Sequence, residues 1–145
     1  MKRIIAIVAG GDSSEHDVSM KSAAGIYSFI DKDKYDLYII ELSKKGWNAI
    51  LDNGSYCPVD KNDLSFMKNG KRIKPDFAYI TIHGTPGENG FLQGYFELLD
   101  IPYSTCDVLV SALTFNKFMT NQYLKGFGVR VAESMLVHKN RGISE

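Results

Sequence analysis

The hydrophobic pattern of the chain alternates between strand-like and helix-like stretches. RIIAIVA, Arg3–Ala9, is apolar after its first residue and rich in Ile, which is typical of a strand buried on both faces. The next stretch, Asp17–Ile30, repeats apolar residues three and four positions apart, which predicts a helix with one apolar face. Tyr35–Leu42 is strand-like again, so the chain opens with a strand–helix–strand unit.

The middle of the chain is rich in turn signals. Lys44-Lys45-Gly46 and Asp52-Asn53-Gly54 flank a short predicted strand, Trp47–Leu51, in a hairpin or meander. The basic, glycine-containing stretch Lys68–Lys74 is interpreted as a solvated loop.

The second half of the chain alternates strands and helices once more. This alternation predicts an α/β fold, namely a Rossmann-like parallel sheet with flanking helices. The predicted elements are the strands Asp76–His83, Tyr103–Thr105 and Glu133–His138 and the helices Phe91–Leu99 and Ser111–Lys125, the latter with Leu113, Phe118, Met119 and Leu124 on its buried side.

The composition limits the possible functions. The chain has 145 residues, the size of one domain, and its formal net charge of zero argues against broad nucleic-acid binding. No apolar run approaches the ~20 residues of a membrane span. Ile4–Ala9 is too short for the core of a signal peptide. Cys57 and Cys106 match no metal-binding spacing and are expected to be reduced thiols in a cytoplasmic protein.

Two loops that follow predicted strands carry candidate chemistry, because ligands of open α/β sheets lie beyond the carboxyl ends of the strands. The first loop, Gly10–Asp17, reads GGDSSEHD and departs from the dinucleotide-binding pattern G-x-G-x-x-G at Asp12. Its carboxylates would repel a phosphate and are better suited to an ammonium group. The alternative is structural, with Asp12 capping the next helix and Glu15 closing a capping box.

The second loop, His83–Gly90, reads HGTPGENG. His83 lies at the tip of a predicted strand, where its imidazole is placed to meet a substrate. Glu88 adds a carboxylate, and the glycines leave space for a ligand. The alternative is a glycine-rich connection in which the acidic residue caps the next helix.

Three other residues have chemistry but belong to no motif at this point. His16 and His138 are interpreted as surface residues, and a lone helical lysine such as Lys117 is usually solvated. Neither loop contains a recognisable pair of nucleophile and base.

Three segments resemble the D-alanine–D-alanine ligase family. GGDSSEHDVSMKSA, Gly10–Ala23, is similar to the N-terminal signature of the family, and HGTPGENGFLQG, His83–Gly94, to its second signature. SALTFNKFMTNQYLKGFGVRVAESMLV, Ser111–Val137, is similar to a segment with Asp-Lys, a helix, a glycine and a strand leading out of the domain. The match extends over nearly the whole chain, and the first two motifs at this spacing are specific.

The resemblance implies a fold, a reaction and a set of site residues. The family belongs to the ATP-grasp enzymes and begins with a small parallel α/β domain. It joins two D-alanines with ATP and Mg²⁺ through an acyl phosphate, for peptidoglycan synthesis. The implied residues are Glu15 and His83 as catalytic, Glu15, Val18, Ser19, His83 and Gly84 as substrate-binding, and Lys117 as nucleotide-binding, with no metal ligand in this chain.

The resemblance also assigns roles and shows two departures. The residue matching Glu15 grips the ammonium of the first D-alanine, and the one matching Lys117 reaches the nucleotide phosphates. Asn89 and Asn116 stand where the family usually has Asp, and each exchange removes a charge but keeps a hydrogen-bonding oxygen.

The metal-binding and ATP-grasp parts of the family have no counterpart in this sequence. After Lys117 the only acidic residues are Glu133 and Glu145. We therefore expect residues 1–138 to form the N-terminal domain and 139–145 to begin the connection to an ATP-grasp domain. The isolated chain is expected to be inactive and to bind neither ATP nor Mg²⁺ tightly.

Three further possibilities remain open from the sequence. A ligase for D-lactate or D-serine would share these motifs, because the selecting residues lie beyond position 145. A stand-alone Rossmann-type module for a nucleotide or amino acid would use Glu41 to hold a ribose hydroxyl. Ligases of this family are commonly dimers through the first domain, so a homodimer is expected, with Phe91, Tyr95 and Phe96 at the interface or, more simply, in the core.

Overall fold

The structure is a computed structural model that describes residues 2–138. The predicted connection at 139–145 lies outside these residues. In chain order the elements are β1 (Arg3–Gly10), α1 (His16–Phe29), β2 (Tyr35–Ser43), β3 (Gly46–Ile50), β4 (Tyr56–Asp60), β5 (Ser65–Lys68), β6 (Lys71–Ile73), β7 (Phe77–Ile80), α2 (Phe91–Leu98), α3 (Val108–Phe115) and α4 (Lys117–Gly126).

The strands form one mixed sheet with the order β6-β5-β4-β3-β2-β1-β7. β1 pairs in parallel with both β2 and β7. From β2 to β6 the pairing is antiparallel. The meander predicted around Trp47–Leu51 is therefore present, and it contains more strands than the sequence predicts. The α/β fold is confirmed, but the sheet is parallel only over β2, β1 and β7.

The strand β1, which pairs with β2 on one side and β7 on the other, is buried on both faces because alternate side chains enter two hydrophobic clusters. Ile5 and Ile7 pack in the cluster that contains Ala23 of α1. Ala6 and Val8 pack in the other cluster, which contains Phe96 of α2. Burying an aliphatic side chain of this size contributes roughly 1.5–3 kcal/mol, so the apolar run anchors the strand.

The stretch Lys68–Lys74 contains the predicted solvated turn, at Asn69 and Gly70, but strand residues on either side make it a hairpin. β5 and β6 pair across Asn69 and Gly70, which have φ angles of 50° and 74°. This Asn-Gly pair suits a tight hairpin turn, because both residues tolerate positive φ. Arg72 strengthens the hairpin by donating from Nη2 to Asp63 at 2.8 Å.

The predicted helix Ser111–Lys125 is in fact two helices, α3 and α4. Asn116 between them is extended, with φ −93° and ψ 96°, and its Oδ1 accepts a hydrogen bond from Met119 N at 3.1 Å. An asparagine side chain that caps a new helix competes with continuation of the old one. Met119 is 49% exposed, so its prediction as a buried residue is wrong.

Three predicted strands are shortened or absent. The strand Asp76–His83 is reduced to β7, and Tyr103–Thr105 is reduced to a single parallel bridge between Tyr103 and Ala78. Glu133–His138 has no regular secondary structure, so its prediction as a strand is wrong. Within residues 2–138, no helix is long and apolar enough to cross a membrane.

Candidate functional site

The two candidate loops lie side by side at the carboxyl edge of the sheet. The first follows β1 and the second follows β7, and these two strands are parallel neighbours. Ser13 donates from Oγ to the backbone oxygen of His83 at 3.5 Å. A Cβ added to Gly11 would lie 2.9 Å from Ile82 Cγ2, so the chain segments approach closely. The structure therefore brings both motifs into one site.

Asp12 does not cap α1, so the predicted capping box is wrong. Its Oδ1 accepts a hydrogen bond from Lys44 N at 2.8 Å. The helix begins at His16, and its N-cap residue, Glu15, makes no side-chain capping hydrogen bond. Because Asp12 lies upstream of the N-cap, its carboxylate reaches the turn between β2 and β3 instead of the first amides of the helix.

Ser19 is fully buried, at 0% exposure, and connects two strand ends. Its Oγ accepts a hydrogen bond from Gly10 N at 2.9 Å and donates to the backbone oxygen of Thr81 at 2.9 Å. Gly10 ends β1 and Thr81 directly follows β7. The hydroxyl thus holds the two loops at a fixed separation, because both of its strong hydrogen bonds are made inside the protein.

Glu15, at the end of the first loop, and Val18, in the first turn of α1, are the exposed members of the predicted substrate site on this side. Val18 is 52% exposed, and Glu15 is exposed as well. Among the described residues, the carboxylate of Glu15 makes no hydrogen bond or ion pair, although its backbone N–H donates to Ser13 Oγ at 3.2 Å. A free carboxylate beside an apolar side chain offers complementary contacts to the ammonium and methyl groups of a small amino acid.

The carboxylate of Glu88 closes the second loop on itself. Its Oε2 accepts a hydrogen bond from Gly84 N at 2.8 Å, and the backbone N–H of Glu88 donates to Gly84 O at 2.8 Å. The next helix, α2, has Gly90 as its N-cap, with no side-chain cap, so the predicted acidic cap is wrong. His83, at the start of this loop, is half-buried.

Asn89 and Asn116, the departures from the family pattern, both make side-chain hydrogen bonds. Asn89 donates from Nδ2 to Thr85 Oγ1 at 3.1 Å and accepts at Oδ1 from Phe91 N at 3.3 Å. Asn116 only accepts in its cap. An aspartate at position 116 could accept the same hydrogen bond from Met119 N. An aspartate at position 89 could not donate, so the Thr85 hydroxyl would have to donate to it instead.

A cavity of about 360 Å³ lies beside the second loop and contains Lys117 at its wall. Glu88 lines the same cavity, as do Gln93 and Cys106. Gln93 is buried, and its Nε2 donates to Gly87 O at 2.7 Å and to Thr105 Oγ1 at 2.9 Å. Lys117 is exposed, as expected for a helical lysine, and it also lines this cavity. Gln93 therefore has a structural role, because it connects the second loop to Thr105. This residue was not singled out from the sequence, where it appears only as part of the second motif.

His16 forms a contact that the sequence did not predict. Its Nε2 lies 3.0 Å from Glu41 Oε1, and the side chains are 31% and 20% exposed. His16, interpreted from the sequence as a surface residue, is therefore half-buried and paired, whereas His138 is exposed as predicted. The contact also occupies the carboxylate that a Rossmann-type binding module would use for a ribose hydroxyl.

The three aromatic residues of α2 do not share one environment. Phe96 is fully buried, and Phe91 is 68% exposed. Tyr95 packs edge-on against Trp47, with ring centroids 5.1 Å apart, and donates from its hydroxyl to Lys61 O at 2.8 Å. Burial raises the pKa of Tyr95 to about 12. The simpler alternative of core packing thus holds for Phe96 and Tyr95, and only Phe91 is available at the surface.

The predicted site residues fall into two groups in space. One group lies on the two adjoining loops and the first turn of α1, and the other, Lys117, lines the neighbouring cavity with Glu88. In the part of the chain that the structure describes, no group of three or more His, Cys, Asp and Glu side chains is placed to hold a metal ion. The loop group comprises Glu15, Val18, Ser19, His83 and Gly84.

The chain is similar to known ligases in both sequence and structure. The D-alanine–D-alanine ligase of Phocaeicola vulgatus is 66% identical over 145 residues, which are 100% of this chain and 45% of that relative. The structure of D-alanyl-alanine synthetase A from Vibrio cholerae is 31% identical with a TM-score of 0.77, covering 88% of this chain and 38% of that chain. VanG D-Ala:D-Ser ligase from Enterococcus faecalis is 30% identical with a TM-score of 0.79, covering 92% and 44%.

The matched region corresponds to one part of these relatives. The chain spans less than half the length of the Phocaeicola vulgatus ligase, at 45%. A family model described as the D-ala D-ala ligase N-terminus matches residues 4–106, which include both candidate loops and the strands that carry them. The chain therefore belongs to the family of D-alanine–D-alanine ligase N-terminal domains.

Proposed function

We propose that this chain is the N-terminal domain of an enzyme that joins two D-alanines into D-alanyl-D-alanine at the expense of ATP, for peptidoglycan synthesis. The observation that carries the proposal is the carboxylate of Glu15, which is exposed and unpaired among the described residues. Its loop is tied to the β2–β3 turn through Asp12, and the helix that follows is tied to the end of β7 through Ser19. This loop lies within the matched region of a chain 66% identical to a ligase.

Glu15 would bind the ammonium group of the first D-alanine. A charge-assisted hydrogen bond is stronger than a neutral one, and a fixed loop loses little conformational entropy when it binds. Val18 would contact the methyl group, and His83 and Gly84 would border the same site from the second loop. Ser19 would act indirectly, because its hydroxyl is already bonded to Gly10 and Thr81.

Lys117 would bind the nucleotide phosphates. Its place at the start of α4, in the wall of a cavity of about 360 Å³, leaves room for an anionic group. A positioned ammonium stabilises the negative charge that develops during phosphoryl transfer. Mg²⁺ would be held by carboxylates outside residues 2–138.

The remaining expectations belong to the same proposal. Residues 1–138 would be the N-terminal domain, with 139–145 leading to an ATP-grasp domain, and this chain alone would be inactive. The whole enzyme would act in the cytoplasm as a homodimer, with Phe91, the exposed one of the three aromatic residues of α2, available for an interface.

The test is an assay of the full-length gene product with D-alanine, ATP and Mg²⁺. We expect D-alanyl-D-alanine and ADP in equal amounts. Glu15→Gln should lower kcat/KM by about 100-fold, because the ammonium of the bound D-alanine loses its charged partner. The matched control is Asp17→Asn, which removes a carboxylate that is 92% exposed and should change kcat/KM by less than about twofold.

If the folded, full-length gene product forms no dipeptide in this assay, the proposal is wrong. Offering D-serine or D-lactate as the second substrate in the same assay decides a narrower question. VanG, a D-Ala:D-Ser ligase, is 30% identical to this chain, so the first domain fits ligases with different second substrates. A mixed product with either compound would assign the enzyme to that branch.

A further inference from the structure

The side chains of His16 and Glu41 connect the start of α1 to the end of β2. His16 is the first residue of the helix, and its Nε2 lies 3.0 Å from Glu41 Oε1. The two side chains are 31% and 20% exposed, so the contact is partly shielded from water. Such a contact is worth more than an exposed surface pair.

The backbone of Gly10 makes room for this contact. A Cβ at this position would lie 3.2 Å from His16 Nε2 and 2.6 Å from the backbone oxygen of Leu42. Gly10 also has φ +92°, a conformation that residues with side chains rarely adopt. The imidazole therefore passes close over the end of β1 on its way to β2.

The orientation of Glu15 depends on the residues at either side of it. Glu15 has no side-chain capping bond, so only its backbone fixes its position. On one side its N–H donates to Ser13 Oγ at 3.2 Å, and its carbonyl accepts from Ser19 N at 2.9 Å. On the other side it is joined directly to His16, whose ring is held by Glu41.

We infer that His16 and Glu41 are positioning residues, which hold the first turn of α1 against β2 so that the Glu15 carboxylate keeps its binding orientation. This inference rests on the proposed function of Glu15. Neither residue touches the substrate. The other contact of the ring, from Nδ1 to Asp17 Oδ1 at 3.4 Å, involves a carboxylate that is 92% exposed and contributes little.

The kinetic test uses the full-length gene product with His16→Ala, Glu41→Ala and His16→Gln. Both alanine variants should raise KM for the first D-alanine by about threefold to tenfold, which is the range expected for one shielded hydrogen bond. The change in kcat should stay below about twofold, because the ammonium is bound equally in the ground and transition states. Asp17→Asn is the control and should match the wild type.

The variant His16→Gln distinguishes a positioning role of His16 from a general loss of stability. The amide nitrogen of glutamine is placed similarly to Nε2 of histidine and can donate to Glu41. This variant should recover KM to within about twofold of the wild type. If glutamine behaves like alanine, or if His16→Ala leaves KM unchanged, the inference is wrong.

Amide hydrogen exchange gives a readout that does not depend on activity. The N–H of Ser19 bonds to Glu15 O, so its exchange should become about threefold to tenfold faster in both alanine variants. Exchange of Ile101 N–H, which bonds to Phe96 O, should be unchanged. Faster exchange at both amides would indicate general destabilisation and would overturn the inference.

The two measurements also separate this inference from the proposed function. If the wild-type enzyme forms no dipeptide, the proposed function fails, and the exchange of Ser19 still decides whether the pair holds the helix. If the dipeptide forms but the alanine variants match the wild type, the positioning role alone fails.

Discussion

The first loop is held by other parts of the fold, whereas the second loop is held mainly by hydrogen bonds within itself. Asp12 and His16 of the first loop reach the turn after β2 and β2 itself. In the second loop, Glu88 bonds to Gly84 and Asn89 bonds to Thr85. Both loops contain glycines and carboxylates. They differ in whether their hydrogen-bond partners lie elsewhere in the fold or within the same loop.

This difference explains why the two loops present different chemistry. Remote partners satisfy the polar groups of the first loop and leave the Glu15 carboxylate free to bind a ligand. In the second loop the Glu88 carboxylate already accepts a hydrogen bond from the loop's own backbone. A carboxylate at a strand end is therefore a candidate ligand-binding group only when its own loop does not require it.

The largest effect is expected from Gly87→Ala, which tests how tightly the second loop is closed. The added Cβ would collide with the backbone oxygen of Ile82 and lie 2.7 Å from its Cβ. We expect the free energy of unfolding to fall by about 3 kcal/mol in urea denaturation, because backbone must move to relieve the overlap. Gly94→Ala is the control, since nothing lies within 4 Å of its added Cβ. It should raise stability by about 0.5–1 kcal/mol.

Asp12→Ala and Glu88→Ala should have similar moderate effects on stability but different effects on exchange. Each removes a carboxylate that accepts from a backbone N–H at 2.8 Å, at a cost of about 1 kcal/mol. Asp12→Ala should speed exchange at Lys44, which is remote in sequence. Glu88→Ala should speed exchange only at Gly84. If both substitutions perturb the same amides, the two loops are not held independently.

The smallest effect is expected from Asn89→Asp, which restores the residue usual in the family. The carboxylate would accept from the hydroxyl of Thr85, reversing the direction of the 3.1 Å hydrogen bond. The free energy of unfolding, measured by thermal denaturation, should therefore change by less than about 0.5 kcal/mol. A loss above about 1.5 kcal/mol would mean that the second loop depends on the amide as a donor.

The sequence predicts the elements whose signals are local and strong. β1 and α1 begin or end within one residue of their predicted bounds, because an Ile-rich run and a helical apolar face are continuous signals. The helix break at Asn116 was missed, because the apolar pattern continues across it. Glu133–His138 was predicted as a strand from its apolar residues alone, and the structure shows no strand there.

The sequence predicts which two loops form the candidate site, but it does not predict the hydrogen bonds that their side chains make. The pattern Asp-x-x-Glu at Asp12 and Glu15 fits a capping box, yet Asp12 binds Lys44 N. The pair His16–Glu41 joins residues 25 positions apart, and no periodicity reports such a contact. Local patterns identify which loops carry chemistry, whereas the tertiary fold decides which side chains remain free.

The parallel pairing of β1 with β7 has a consequence for how the protein folds. Beside this pair, Ile4 N donates to Asp76 Oδ2, a contact between residues 72 positions apart, whereas β2 to β6 pair with strands close to them in sequence. Closing a long loop costs more chain entropy than closing a hairpin, and non-local contacts slow folding. We therefore expect the meander to form early and the β1–β7 edge to form late. A nascent chain would thus acquire its hairpins before the two candidate loops come together at the carboxyl edge of the sheet.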